Sequence, residues 1–195
     1  GLYDKYGNGQ EYRLFVDKVY LKVTRNYIRY GFLITYLCGC SNICHKTFDK
    51  NCIETLEKRD DSTYWTPSGV SLRNSKWGYR NLIDLFPDYS SAKSYVDSIY
   101  RFIEEGKISY AKEFYSSIRL KGSSMDIRAL AEKGIKYIEL RTIDINPFDK
   151  VGVNLWDLKF IHLFLLLMLI MDENCDAEYQ KDGQNAKEEI ALCGI

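Results

Sequence analysis

The stretch Lys136–Met171, KYIELRTIDINPFDKVGVNLWDLKFIHLFLLLMLIM, decides how the rest of the chain is read. Residues 135–145 alternate, which predicts a strand, because successive side chains of a strand point to opposite faces. Tyr137, Glu139, Arg141 and Ile143 then share one face, and Ile138, Leu140, Thr142 and Asp144 the other. Asn146-Pro147 stops the strand, since proline brings no N–H to a ladder. Asn154 is placed to cap a helix running to about Met171, with Asp157 in its first turn. Residues 160–171 of that helix are almost wholly apolar. A bilayer span needs about 20 such residues. The run therefore predicts a helix buried against a sheet, not a membrane anchor, with the lone His162 packed in the core.

Glu139 and Arg141 sit roughly 7 Å apart on the same strand face. Ionised groups turned inward on a sheet are costly unless paired or metal-bound. One reading is a salt bridge on a partly wet face. The other is a site that sets a hard-cation ligand beside a fixed positive charge. Nucleoside triphosphate chemistry uses that combination: carboxylates hold Mg²⁺, and arginine neutralises charge on the transferring phosphoryl group. The sequence has neither a G-x4-G-K-[ST] loop nor a G-x-G-x-x-G loop. Such chemistry would therefore run on carboxylates and arginines presented by a sheet.

The 195 residues fit one domain or a piece of a larger one. Lys+Arg and Asp+Glu are both 27, a balance that argues against a nucleic-acid binder or an acidic tail. With 46% hydrophobic residues and only three Pro, the composition builds a core. The 16 Tyr suit both cores and substrate pockets. The chain starts Gly1-Leu2-Tyr3, without Met and without a charged-then-apolar leader, and reads as a cut end with no signal peptide. Cys38, Cys40, Cys44, Cys52, Cys175 and Cys193 are then expected as reduced thiols of a cytoplasmic protein. Cys38, Cys40, Cys44 and His45 lack the paired C-x2-C knuckles of a structural zinc site.

Elsewhere, Phe15, Val19, Val23, Tyr27, Tyr30 and Ile34 recur at helical spacing and predict one long helix from Glu11 to about Leu37. Lys18, Lys22, Arg25 and Arg29 form a basic stripe on another face, either solvated or facing phosphates or carboxylates. Residues 39–67 read as mobile connection. Residues 63–78 read as a rigid loop rich in aromatics and Arg, of a kind common in binding sites. Residues 89–105 predict an amphipathic helix stopped by Gly106, and 108–120 an extended segment with Tyr115 near its middle. Residues 126–133 predict a short helix ended by Gly134, and 177–192 a polar helix.

The run YIELRTIDINPF resembles the core of bacterial glutamate–cysteine ligases. RNYIRYGFLITYLCG (25–39), SLRNSKWGYRN (71–81) and EFYSSIRLKG (113–122) are similar to that family in the same order, so the resemblance covers roughly Val16 to Leu192. The tail MDENCDAEYQKDGQNAKEEIAL looks closest to the Gram-positive form, in which the ligase is fused to a glutathione synthetase module. The resemblance implies an α+β fold, part of a glutamine-synthetase-like, curved, mostly antiparallel sheet with surrounding helices. It implies ATP- and Mg²⁺-dependent joining of the glutamate γ-carboxylate to the cysteine amine through γ-glutamyl phosphate. Glu139 then matches a metal-ligand carboxylate, Arg141 an arginine at the ATP phosphates, and Arg73 an arginine on the substrate side. Tyr79 and Tyr115 match aromatics of the cysteine pocket; Arg25 and Arg119 are further candidates.

The family's G-x-E-x-E strand and its GxHxN-like strand are not found in this sequence. Residues 1–195 are therefore expected to be a single partial domain, the C-terminal portion of the ligase core, inactive without the N-terminal half. The alternative is a non-catalytic binding or regulatory protein that kept the pocket and lost the metal site. A third reading is a small helical membrane-associated protein built on residues 160–171.

Overall fold

The computed structural model describes residues 1–174 and 176–194, so the expected thiol of Cys175 lies outside the described residues. A short helix, α1 (Leu2–Tyr6), precedes α2 (Tyr12–Tyr30), which continues after Gly31 as α3 (Phe32–Cys38). The single helix expected over 11–37 is thus divided where glycine weakens a helix interior. Next come β1 (Ile43–His45), α4 (Lys50–Ile53), β2 (Glu57–Lys58) and β3 (Thr63–Trp65). The three strands form an antiparallel sheet in the order β1-β3-β2. This corrects the reading of 39–67 as loop and of Thr63–Trp65 as non-strand. Strands of two or three residues are too short to register as an alternating pattern.

One 3-10 turn, Leu72–Asn74, follows, capped by Ser71, whose Oγ accepts from Asn74 N at 3.2 Å. Helix α5 (Ala92–Glu104) begins at Ser91, whose Oγ accepts from Ser94 N at 3.0 Å, and the chain turns away at Gly106 with φ 69°. Strand β4 (Ile118–Lys121), helix α6 (Arg128–Lys133) and strand β5 (Tyr137–Leu140) come next. Gly134 ends α6 at φ 78°, a left-handed conformation that glycine adopts without strain. Strands β4 and β5 pair antiparallel, with Arg119 opposite Glu139 and Lys121 opposite Tyr137. Of the extended segment expected over 108–120, only Ile118 onward pairs as a strand.

The strand expected over 135–145 is limited to Tyr137–Leu140, about a third of the length that its alternation suggests. Beyond Leu140 the alternation persists, but the partners change. Arg141 N still donates to Ser117 O at 2.8 Å. Thr142 and Asp144, both buried, are instead held by groups from helix α2, from Cys40 and Ser41, and from the Leu72–Asn74 turn. Thr142 Oγ1 accepts from Tyr27 Oη at 3.0 Å, and Thr142 O from Asn74 Nδ2 at 2.8 Å. Asp144 Oδ2 accepts from Cys40 N at 3.0 Å and Ser41 Oγ at 2.6 Å. The partners of this buried face are not a strand.

Helix α7 (Leu155–Ile170) is capped by Asn154, whose Oδ1 accepts from Asp157 N at 2.9 Å, as the sequence predicts. Its Ile161, Phe164 and Met168 are buried with Val23 and Tyr27 of α2 and Ile34 of α3. The expectation of a helix buried against a sheet is corrected: α7 packs on helix α2, and Leu163, Leu166 and Ile170 are exposed. His162 is exposed as well, so its expected place in the core is also overturned. No described helix is long and apolar enough to cross a membrane. A second core gathers Leu21 of α2, Tyr95, Ile99 and Phe102 of α5, Leu120 of β4 and Leu130 of α6. Helix α2 therefore lies between two cores. Helix α8 (Ala177–Cys193) closes the described fold over α2 and α3. The described residues form a mixture of helices with two small antiparallel sheets.

Candidate functional site

Arg141 sits just past the end of β5, where pairing stops and a side chain is free to reach sideways. Its Nε donates to Glu139 Oε1 at 2.7 Å, and its Nη1 donates to the hydroxyl of Tyr79. The second carboxylate oxygen of Glu139 lies 3.0 Å from Lys121 Nζ, which reaches diagonally from β4. Both oxygens of Glu139 are thus engaged by cations. The Arg141 hydrogen bond keeps the Glu139 carboxyl below its usual range against the opposing effect of partial burial, and Lys121 adds to it. Burial pulls the Arg141 pKa down, but Glu139 and Tyr79 together outweigh that and leave it raised.

Tyr79 is held by backbone. Its N–H donates to Arg73 O at 2.7 Å, and the intervening turn passes so close that a Cβ on Gly78 would lie 2.1 Å from Arg73 O. Only glycine fits there. The turn brings the guanidinium of Arg73 to 5.8 Å from the Tyr79 ring centroid, while that of Arg141 lies at 5.6 Å. Two cations therefore flank one phenol, an arrangement that the negative ring face favours. Arg73 Nη1 lies 3.6 Å from Asp144 Oδ1 and, although buried, donates no hydrogen bond. Its ion pair with buried Asp144 anchors one end of the guanidinium while the rest of the side chain stays partly exposed beside the site.

Tyr115 completes the group. Its ring lies 4.6 Å from that of Tyr79 at an interplanar angle of 57°. Asn81 ties the two loops together: its Nδ2 donates to Glu113 O at 2.6 Å, and its Oδ1 accepts from Tyr115 N at 2.8 Å. Beneath the two rings is a cavity of about 60 Å³, lined also by Arg80, Gln184 and Lys187.

All five residues singled out in the sequence, Arg73, Tyr79, Tyr115, Glu139 and Arg141, are brought together. Arg25 and Arg119 are not. Arg25 pairs with Glu173 and donates to Tyr89 O at 2.5 Å. Arg119 Nη2 donates to Ala111 O at 3.1 Å and Lys112 O at 3.3 Å. Both fasten the fold. The sequence reading missed Asn81, Lys121, Asp144 and Lys187. Asn81 closes the quoted 71–81 run and Asp144 alternates with Thr142; no local signal marks Lys121 or Lys187.

The group presents two guanidiniums, two phenols and a carboxylate to a small anionic or zwitterionic ligand. It does not by itself fit a divalent cation. Glu139 is one carboxylate, already neutralised by two cations, and no group of three or more His, Cys, Asp or Glu that could hold a metal occurs among the described residues.

The family model for glutamate–cysteine ligase matches residues 2–112 and 107–190. The glutathione biosynthesis bifunctional protein of Listeria monocytogenes serotype 4b is 38% identical, over 100% of this chain and 26% of its own length. That of Enterococcus faecalis is 38% identical, over 98% of this chain and 24% of its own length. Among solved structures, a bifunctional glutathione synthetase from Pasteurella multocida superposes with TM-score 0.80 at 31% identity, over 98% of this chain and 24% of that one. A glutamate–cysteine ligase from Francisella tularensis, solved with AMP, gives TM-score 0.82 at 27% identity, over 92% of this chain and 41% of that one. The chain spans about a quarter of the length of the curated relatives it matches.

Proposed function

This chain belongs to the glutamate–cysteine ligase family, and from that premise we propose that it forms part of a ligase joining the γ-carboxylate of glutamate to the amine of cysteine. The reaction hydrolyses ATP and passes through γ-glutamyl phosphate, the first step of glutathione synthesis. The observation that carries the reading is the convergence of Arg73, Tyr79, Tyr115, Glu139 and Arg141 from three separated stretches of sequence onto one surface.

In this reading Arg141 faces the phosphates of ATP and spreads the charge that develops as the γ-phosphoryl group moves to glutamate. Arg73, whose side chain is partly exposed beside Tyr79, grips a carboxylate of the amino-acid substrate. Tyr79 and Tyr115 wall the cysteine pocket and keep water from the acyl phosphate. Glu139 would serve as one ligand of the Mg²⁺ that the family implies only together with further carboxylates, and only by giving up a contact to Lys121 or Arg141. The further carboxylates such a site needs are not among the described residues, so no step is assigned to the ion here. The small β4–β5 sheet belongs, on this reading, to a larger curved sheet of glutamine-synthetase type. The setting is the cytoplasm, and the partners are the rest of the ligase module and a fused glutathione synthetase module.

The double engagement of Glu139 favours one other reading, a non-catalytic derivative that retains the pocket as a binding or regulatory element. An ADP-release assay separates the two. This chain is supplied with glutamate, cysteine, ATP and Mg²⁺, alone and together with the remaining portion of the ligase module of the Enterococcus relative. Cysteine-dependent ADP release on mixing is the expected result. Its absence at every ratio tested leaves the non-catalytic reading.

A further inference from the structure

Lys187 is the cation that the cavity beneath Tyr79 and Tyr115 leaves without a counter-ion. Its position follows from packing one turn earlier on α8. Gly183 lies against the backbone of α2, where a Cβ would come within 2.2 Å of Ile28 O, so the two helices meet without a side chain between them. Gln180, on the same face of α8, fixes the register: its Nε2 donates to Pro87 O at 2.9 Å. Residues four apart on a helix share a face, so the contact at Gly183 directs Lys187 into the cavity.

The neighbouring charges are already committed. Arg80, also at the cavity, lies 2.8 Å from Asp84 and 3.3 Å from Glu188. Lys187 makes no ion pair within 4.0 Å and no hydrogen bond among the described residues. Burial lowers its pKa to about 8; Arg80 and Arg73 act in the same direction, and Glu188 opposes them. A partly buried ammonium with no partner is unfavourable, and an anion beside it offsets that cost.

We propose that Lys187 binds the carboxylate of the acceptor amino acid in this cavity and thereby selects α-amino acids over simple amines. The identity of that ligand rests on the ligase reading. The geometry also gives an orientation. Tyr79 is shared between two places: its ring lines the cavity, and its hydroxyl accepts from Arg141. A small zwitterion with its carboxylate on Lys187 lies along that ring, its amine turned away from the Lys187 and Arg80 charges toward the edge of the ring that carries the hydroxyl. The reacting nitrogen is thus turned to the side on which an acyl phosphate would be held.

The test is calorimetric titration of this chain with L-2-aminobutyrate, a thiol-free analogue of cysteine, and with n-propylamine, the same skeleton without the carboxylate. The unaltered chain is expected to prefer 2-aminobutyrate by at least about tenfold, the scale of a close charge pair. Lys187→Met should erase the preference, and Lys187→Arg should restore part of it. Equal binding of both ligands, no binding of 2-aminobutyrate, or a preference kept by Lys187→Met overturns the proposal. A measurement on the unaltered chain guards against misfolding of the variant: the ammonium of Lys187, followed by NMR, should titrate at higher pH when 2-aminobutyrate is bound, and an unmoved titration also overturns it. The two readings fail separately. Carboxylate-dependent binding without ADP release in the reconstituted assay removes the ligase reading alone. Normal ADP release with an unchanged acceptor KM in Lys187→Met removes the Lys187 assignment alone.

Discussion

Asn81 holds Tyr115 by its backbone, accepting from Tyr115 N at 2.8 Å while its own amide donates to Glu113 O, and so fixes the angle between the two tyrosines of the pocket. Asn81→Ala removes both bonds at once. The expected loss is about 1–2 kcal/mol of stability, from two hydrogen bonds of ordinary net strength. In the assembled ligase the acceptor KM should rise more than kcat falls, because the wall of the pocket moves while the Glu139–Arg141 pair does not. Urea denaturation and steady-state kinetics check both halves; an equal effect on KM for ATP and for cysteine would show that Asn81 merely braces the fold.

Glu139 gives a pH prediction. Its carboxyl is held below the usual range, chiefly by the bond from Arg141. A carboxylate depressed in the folded state contributes stability that is fully present above its unfolded value of about 4.3. That contribution is lost as pH falls through the lower, folded value. Glu139→Gln should therefore unfold with a flatter stability profile at acid pH than the unaltered chain. The difference should be small, since the pair is partly exposed and screened. In the assembled enzyme the same change should abolish ligation with the fold retained. Superimposable acid profiles would detach Glu139 from Arg141 in solution.

Gly78→Ala places a methyl group 2.1 Å from a backbone carbonyl that cannot step aside cheaply. Overpacking of this kind costs about 1–3 kcal/mol. A lowered Tm is expected, together with loss of the Tyr79–Tyr115 ring contact by NMR. An unchanged melting curve would mean that the Arg73–Tyr79 turn is looser than described.

The orientation of α7 can be read from a pair of truncations. Phe164 is buried between α2 and α7, and Phe164→Ala should cost about 3–5 kcal/mol. Leu163 is one residue away on the exposed side, and Leu163→Ala should stay within about 0.5 kcal/mol. Similar losses at both positions would show that α7 is covered on both sides.

Much of this molecule is legible in its sequence, because the relevant forces act over a few residues. Helices α5, α6, α7 and α8 are announced by periodicity and by local caps such as Ser91, Asn154 and Gly134. The alternation after Ile135 set Thr142 and Asp144 on one face and Glu139 and Arg141 on the other; packing decided that the first of these is the buried one. The pairing of Glu139 with Arg141 follows from their spacing of two on one strand. Only the tertiary structure decided what those faces meet. Thr142 and Asp144 are satisfied by Tyr27, Ser41 and Asn74, residues 68 to 115 positions away, and no local pattern records such partners. The same holds for the side of α7 that is buried, since a helix apolar all round carries no stripe to point it. It holds too for Lys187, whose place beside Tyr79 is set by the bare contact of Gly183 with α2. Local sequence fixes which way a side chain points along its own element; long-range packing decides what it points at.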